Sequence, residues 1–172
     1  DWIKLLNKGL DINIEKPTKG SRIWYKDTSG RSMFYDHTAW QNINEYKKFV
    51  FNSPAAQICS QLMRSITVNF FFDSVFVRST GTKFETPWHQ DEPYWSVEGY
   101  DACTIWMPLV SVKKKSSLSF VPGSHRWKTI FKHYNFGDLN PVGKKNVHQV
   151  DFSGVAEQEL PDINADPERF GV

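Results

Sequence analysis

The sequence changes character at Ile66. Upstream, between Asn44 and Met63, the apolar residues Tyr46, Phe49, Val50, Ile58, Leu62 and Met63 recur at roughly helical spacing. Pro54 interrupts them. Ser53 before it is a natural N-cap, with proline at the first helical position, so the pattern predicts two helices, about 42–51 and 54–63. Downstream, "ITVNFFFDSVFVRS" is β-branched and aromatic, the chemistry of strands. "DACTIWMPLVSV" predicts another strand, and "LSFV" and "VHQVDF" predict shorter ones. "STGTKFETP", "KKKSS", "PGSHRW" and "GDLNPVGKKN" are the loops and turns between them. Helices followed by many short strands restrict the chain to a mainly β class, a barrel or sandwich with helices packed outside it. Residues 1–40, where Pro, Gly and Ser stand between aromatics, read as loops and short pieces of strand.

At 172 residues the chain has the size of one domain, and 15% aromatic residues can fill a core. A net charge of +2 does not argue for a nucleic-acid partner. No run of about 18 apolar residues is present, and no signal peptide is expected, so the reading is cytoplasmic with no membrane partner. Cys59 and Cys103 have no metal-ligand spacing and read as reduced core thiols. The opening "DWIKLLNKGL" lacks an initiator Met and the close "PERFGV" lacks a final element, which leads us to expect a fragment.

"PWHQDEPYW" carries the chemistry. His89 and Asp91 stand at i and i+2, which on an extended segment share a face. An imidazole nitrogen and a carboxylate oxygen can then reach one ion, as in the two-histidine, one-carboxylate sites of ferrous iron. A surface histidine beside a solvated aspartate is the plainer alternative for such a pair. Trp88, Tyr94 and Trp95 supply the bulk that a partly dry pocket needs, or simply core, while Gln90 belongs to the opposite face with a structural role.

From "VFVRSTGTKFETPWHQDEPYW" through "CTIWMPL" to "LSFVPGSHRW", the chain resembles the phytanoyl-CoA dioxygenase family, over about Phe49 to Trp127. The resemblance implies an Fe(II)- and 2-oxoglutarate-dependent oxygenase on a double-stranded β-helix (jelly-roll, cupin-like). Its domain would fill 1–172, with 1–65 as a helical and loop flank and 66–172 as barrel core. His89 and Asp91 match the first two iron ligands. Trp106 matches a position lining the 2-oxoglutarate pocket, and Ser74 falls near another. Arg78 and Lys83 either help hold an acidic group or are solvated cations. The intact Asp91 favours hydroxylation over halogenation.

The resemblance also implies a second histidine ligand after a Gly-Asp turn, then an arginine for the distal carboxylate of 2-oxoglutarate. Neither motif follows Gly137-Asp138, the only Gly-Asp in the chain. The last barrel strands are therefore expected to be missing and the chain as given to be inactive. His125 reads as a hydrogen-bonded turn residue, His133 and His148 as surface groups, and His37 precedes the barrel. The expected reaction is hydroxylation of an unactivated C–H bond in a small molecule or acyl thioester, with Fe(II), 2-oxoglutarate and O2. The alternative is a non-catalytic β-barrel that binds a small molecule. Whether the chain forms a homo-oligomer is left open.

Overall fold

The computed structural model describes residues 1–82, 85–95, 97, 99–134 and 158–172. These form two compact units, Asp1–Phe84 with Asp101–Val112, and Glu85–Tyr100 with Lys113–Val172.

The first unit opens with a helix where loops and strand pieces were expected. Helix α1 spans Trp2–Glu15, and the Asp1 carboxylate caps it by accepting from the Ile3 N–H at 3.1 Å. Its Leu6 packs with Ala39, Ile43 and Tyr46 in the buried core. Gly9 permits this approach, because a Cβ there would meet the Tyr46 ring at 2.7 Å. Helices α2 (Asn44–Asn52) and α3 (Ala55–Met63) follow the predicted pattern. Ser53 still serves the start of α3, its Oγ accepting from the Ala55 N–H at 3.2 Å.

Strands β1 (Arg22–Lys26), β2 (Ser32–His37) and β3 (Ser74–Arg78) form an antiparallel sheet in that order. Asp27 closes the β1–β2 turn, accepting from the Ser29 and Arg31 N–H groups at 2.9 Å each. Residues paired across antiparallel strands share a face. Met33 with Arg78, Tyr35 with Phe76 and His37 with Ser74 therefore lie on one face, and Phe34 with Val77 and Asp36 with Val75 on the other. Val75 packs on the helical core, so the second face is the one that α1 and α2 cover. Asp36, fully buried there, accepts from Asn13 Nδ2 of α1 at 2.7 Å and from the Thr18 N–H at 3.0 Å. That carboxylate ties the end of α1 to the sheet.

The run 101–112 contributes Met107 and Leu109 to the same core. Asn7 of α1 holds it by donating to the Leu109 carbonyl at 3.1 Å. No strand forms among the described residues after Arg78. The runs 101–112 and 118–121 have strand composition but no ladder, and "VHQVDF" lies outside the described residues. A strand needs a neighbouring backbone as well as suitable side chains, and composition reports only the second. The second sheet of a jelly roll is thus not formed among the described residues.

The second unit is built from loops and short 3-10 turns, Glu92–Tyr94, Lys114–Ser116, Ser124–Arg126 and Glu168–Phe170. Val121, Phe131 and Ile163, with Pro93, are buried in it. Trp127 lies edge-on to both Phe131 and Phe170.

Candidate metal site

His89 and Asp91 lie side by side in the second unit. His89 Nε2 is 3.2 Å from Asp91 Oδ1, and His89 Nδ1 is 2.8 Å from the Pro87 carbonyl oxygen. A carbonyl only accepts, so Nδ1 carries a proton and Nε2 is the nitrogen turned toward the carboxylate. In neutral imidazole, Nε2 then presents a lone pair to a second lone pair. A proton or a metal cation between the two relieves that repulsion. Burial, the largest influence on His89, works against its charge. Hydrogen bonds to Asp91 and Pro87 and the Asp91 charge outweigh it and raise the pKa. The site remains open to solvent, with the side chains 29% and 48% exposed.

Two neighbours fix the segment that carries the pair. Gln90 donates through Nε2 to the Thr129 carbonyl and accepts through Oε1 from the Phe131 N–H, both at 2.9 Å. The Tyr94 hydroxyl donates to the Tyr134 carbonyl at 2.7 Å and accepts from the Tyr134 N–H at 3.1 Å. Two side chains thus stand in for a strand partner along 129–134. Gln90 has the structural role expected of it. The polar role of Tyr94, expected only as an aromatic wall, has no signal in the sequence because its partner is 40 positions away.

Behind the pair lies a cavity of about 250 Å3, lined by Trp88, His89, Tyr94, Lys132 and His133 among others. Trp88 is held at its Nε1 by Asn164 Oδ1, 2.8 Å away. The Tyr94 ring is edge-on to both imidazoles, 6.1 Å from His89 and 5.0 Å from His133. His133 was expected at the surface, but it is 8% exposed and burial lowers its pKa. The segment that Gln90 and Tyr94 grip turns it inward. Even so, no group of three His, Cys, Asp or Glu among the described residues is placed to hold a metal. His125 is exposed in its turn, and His148 and Lys83 lie outside the described residues.

The other predicted site residues belong to the first unit. Ser74 and Arg78 stand on the sheet face opposite the helical core, at the two ends of β3. Ser74 Oγ is 3.4 Å from the Tyr35 hydroxyl, and Arg78 Nη2 lies 3.7 Å from Met33 Sδ. Trp24 stacks on Tyr35 on the same face. Trp106, 46% exposed, alternates with Met107 and Leu109 and stands apart from the core they join. The cysteines are not core residues: Cys103 is exposed and Cys59 half-buried.

Among known proteins, the family model for phytanoyl-CoA dioxygenase (PhyH) matches residues 11–158. No curated protein and no solved structure matches the chain. The match takes in α2, α3, the whole sheet, the His89–Asp91 segment and "PGSH" in one continuous alignment, and that family has a cupin-like fold. The match spans most of the sequence, and the chain belongs to the phytanoyl-CoA dioxygenase family.

Proposed function

We propose that the chain carries the iron-binding segment of an Fe(II)/2-oxoglutarate-dependent oxygenase, with His89 Nε2 and Asp91 Oδ1 as ligands. The observation that carries this reading is the 3.2 Å approach of the two atoms, with His89 Nδ1 committed to Pro87. Donors on adjacent positions of an octahedral ion, each about 2.1 Å from it, are about 3.0 Å apart, so the pair fits without rearrangement. The Pro87 carbonyl sets the tautomer and ring orientation, as outer partners of metal-bound histidines do. Bound there, iron supplies the oxidising chemistry that couples 2-oxoglutarate decarboxylation to hydroxylation of a C–H bond.

The remaining contributions come from the chain itself. Gln90 and Tyr94 hold the ligand segment in place. Trp88, Tyr94 and the inward His133 wall the cavity beside the ligands and limit water there. The intact carboxylate of Asp91 favours hydroxylation. Ser74, Arg78 and Trp106 keep the co-substrate role that the family resemblance implies for them; Ser74 and Arg78 share one sheet face. The substrate is a small molecule or acyl thioester.

Anaerobic titration with Fe(II) tests the reading. Binding by the 172-residue chain should be weak, because two donors converge among the described residues, and should disappear in His89→Ala and in Asp91→Ala. Equal affinity in all three proteins would refute the assignment. Succinate formation should be absent or slow, and sustained turnover would mean that His125, His133 or His148 completes the ligand set. The cavity also suits a second reading, a non-catalytic small-molecule binder, for which ligand binding would be indifferent to iron.

A further inference from the structure

The cavity of about 250 Å3 behind His89 has polar residues in its wall, yet their polar groups are engaged by other parts of the chain. Trp88 donates through Nε1 to Asn164 Oδ1 at 2.8 Å. Gln90 spends both ends of its amide on the backbone of Thr129 and Phe131. The Tyr94 hydroxyl meets both backbone groups of Tyr134. Glu159 accepts from the Lys132 ammonium at 2.7 Å and from the Tyr134 hydroxyl at 2.5 Å, which also balances the Lys132 charge. What these side chains still offer an occupant is ring faces and methylene groups, with the buried Pro93 beside them. His133, kept neutral as burial lowers its pKa, adds an uncharged ring.

A charged group entering such a space would leave water and find its counter-charges already paired, whereas an apolar group gains by leaving water. Size is limited as well. An apolar cavity of ~150 Å3 holds benzene, so this one suits about ten non-hydrogen atoms, the size of two fused rings. Aromatic walls favour a flat, rigid occupant over a flexible chain, because rings stack or meet edge to face and a rigid molecule loses less freedom on binding.

We propose that this cavity binds a compact, uncharged ring compound of about ten non-hydrogen atoms, and that such compounds are the substrate class of the site. The second half rests on the reading of His89 and Asp91 as iron ligands. His89 is part of the cavity wall, so a ring held there presents its C–H bonds beside the pair.

The test is equilibrium dialysis of the 172-residue chain, without iron, against naphthalene, benzene, 2-naphthoate and decanoyl-coenzyme A. Naphthalene should bind at least about tenfold more tightly than benzene, because more apolar surface leaves water. It should also bind at least about tenfold more tightly than 2-naphthoate, whose charge has no partner to meet. Decanoyl-coenzyme A should not displace it. Nuclear Overhauser effects from bound naphthalene should reach the Tyr94 and Tyr134 rings, which locates it even if a wall variant fails to fold. Trp88→Ala should lose the binding. Asp91→Ala, outside the cavity wall, should keep naphthalene while losing the metal. No binding of naphthalene, tighter binding of 2-naphthoate, displacement by decanoyl-coenzyme A, or contacts only with rings elsewhere would overturn the proposal. Iron bound without naphthalene would refute this inference and leave the ligand assignment standing. Naphthalene bound by a chain that takes up no iron would uphold the cavity and refute the ligand assignment.

Discussion

The Tyr94 hydroxyl satisfies both backbone groups of Tyr134, donating to its carbonyl at 2.7 Å and accepting from its N–H at 3.1 Å. With Gln90, it fastens the His89–Asp91 segment to 129–134 and turns His133 into the cavity. Tyr94→Phe keeps the ring and leaves both Tyr134 groups without that partner. It should cost about 1–3 kcal/mol of stability. It should also weaken divalent-metal binding at His89 and Asp91 roughly tenfold, as loss of an outer support does. Urea unfolding and metal titration of the same preparation measure the two effects. Unchanged metal affinity would mean that the clamp is structural only.

Cobalt(II) is a spectroscopic stand-in for iron at the pair. The wild-type chain should give a visible absorption band on titration, and His89→Ala should abolish it. Asp91→Asn keeps the shape but loses the charge, and should lower the affinity at least about tenfold. The same band in all three proteins would place the metal elsewhere.

Gly9 faces Tyr46. A Cβ at that position would lie 2.7 and 2.9 Å from ring carbons and 3.0 Å from the Glu45 Cβ. Helix propensity alone would make Gly9→Ala stabilising by about 1 kcal/mol. The clash should reverse the sign, for a net loss of about 1–2 kcal/mol. A lowered urea midpoint with an unchanged slope is the expected result, and a raised midpoint would show that α1 and α2 separate easily.

Asp73 accepts from the Trp40 N–H at 3.2 Å. Burial, with a smaller contribution from the Asp36 charge, raises its pKa to about 6, although bonds from backbone N–H groups oppose the shift. A raised acid pKa in the fold means that this group's contribution is most favourable below its unfolded value near 4 and is lost as pH rises through about 6. Asp73→Asn can keep an acceptor for Trp40 without the charge. The variant should be more stable than the wild type by about 1–2 kcal/mol above pH 6.5, and the difference should vanish below about pH 4. Parallel melting curves across that range decide it, and a pH-independent difference would contradict the assignment.

Several elements were legible because their signals are local. Pro54 and the apolar spacing around it marked α2 and α3 to within a few residues. The β-branched run from Ile66 marked β3 at its end only: Ser74–Arg78 pairs with β2, while residues 66–73 form no strand. The His-x-Asp spacing marked a pair that does come together, and the order of motifs pointed to the family. Helix α1 was missed although Asp1 is a sound N-cap. Gly9 and the Pro- and Gly-rich stretch that follows weaken the local preference, and contact with Tyr46 outweighs it.

The amino-acid order by itself determined the family, the pairing of His89 with Asp91, and helices α2 and α3 on either side of Pro54. Each is written in neighbouring residues or in the sequence of motifs. The tertiary structure alone decided that His133 is buried and lines the same cavity as His89, and that Tyr94 and Gln90 act through their polar groups. It also decided that Ser74 and Arg78 share the sheet face turned away from the helices. These relationships join atoms from distant parts of the chain, and no local propensity or spacing encodes which distant backbone or side chain will arrive to complete them.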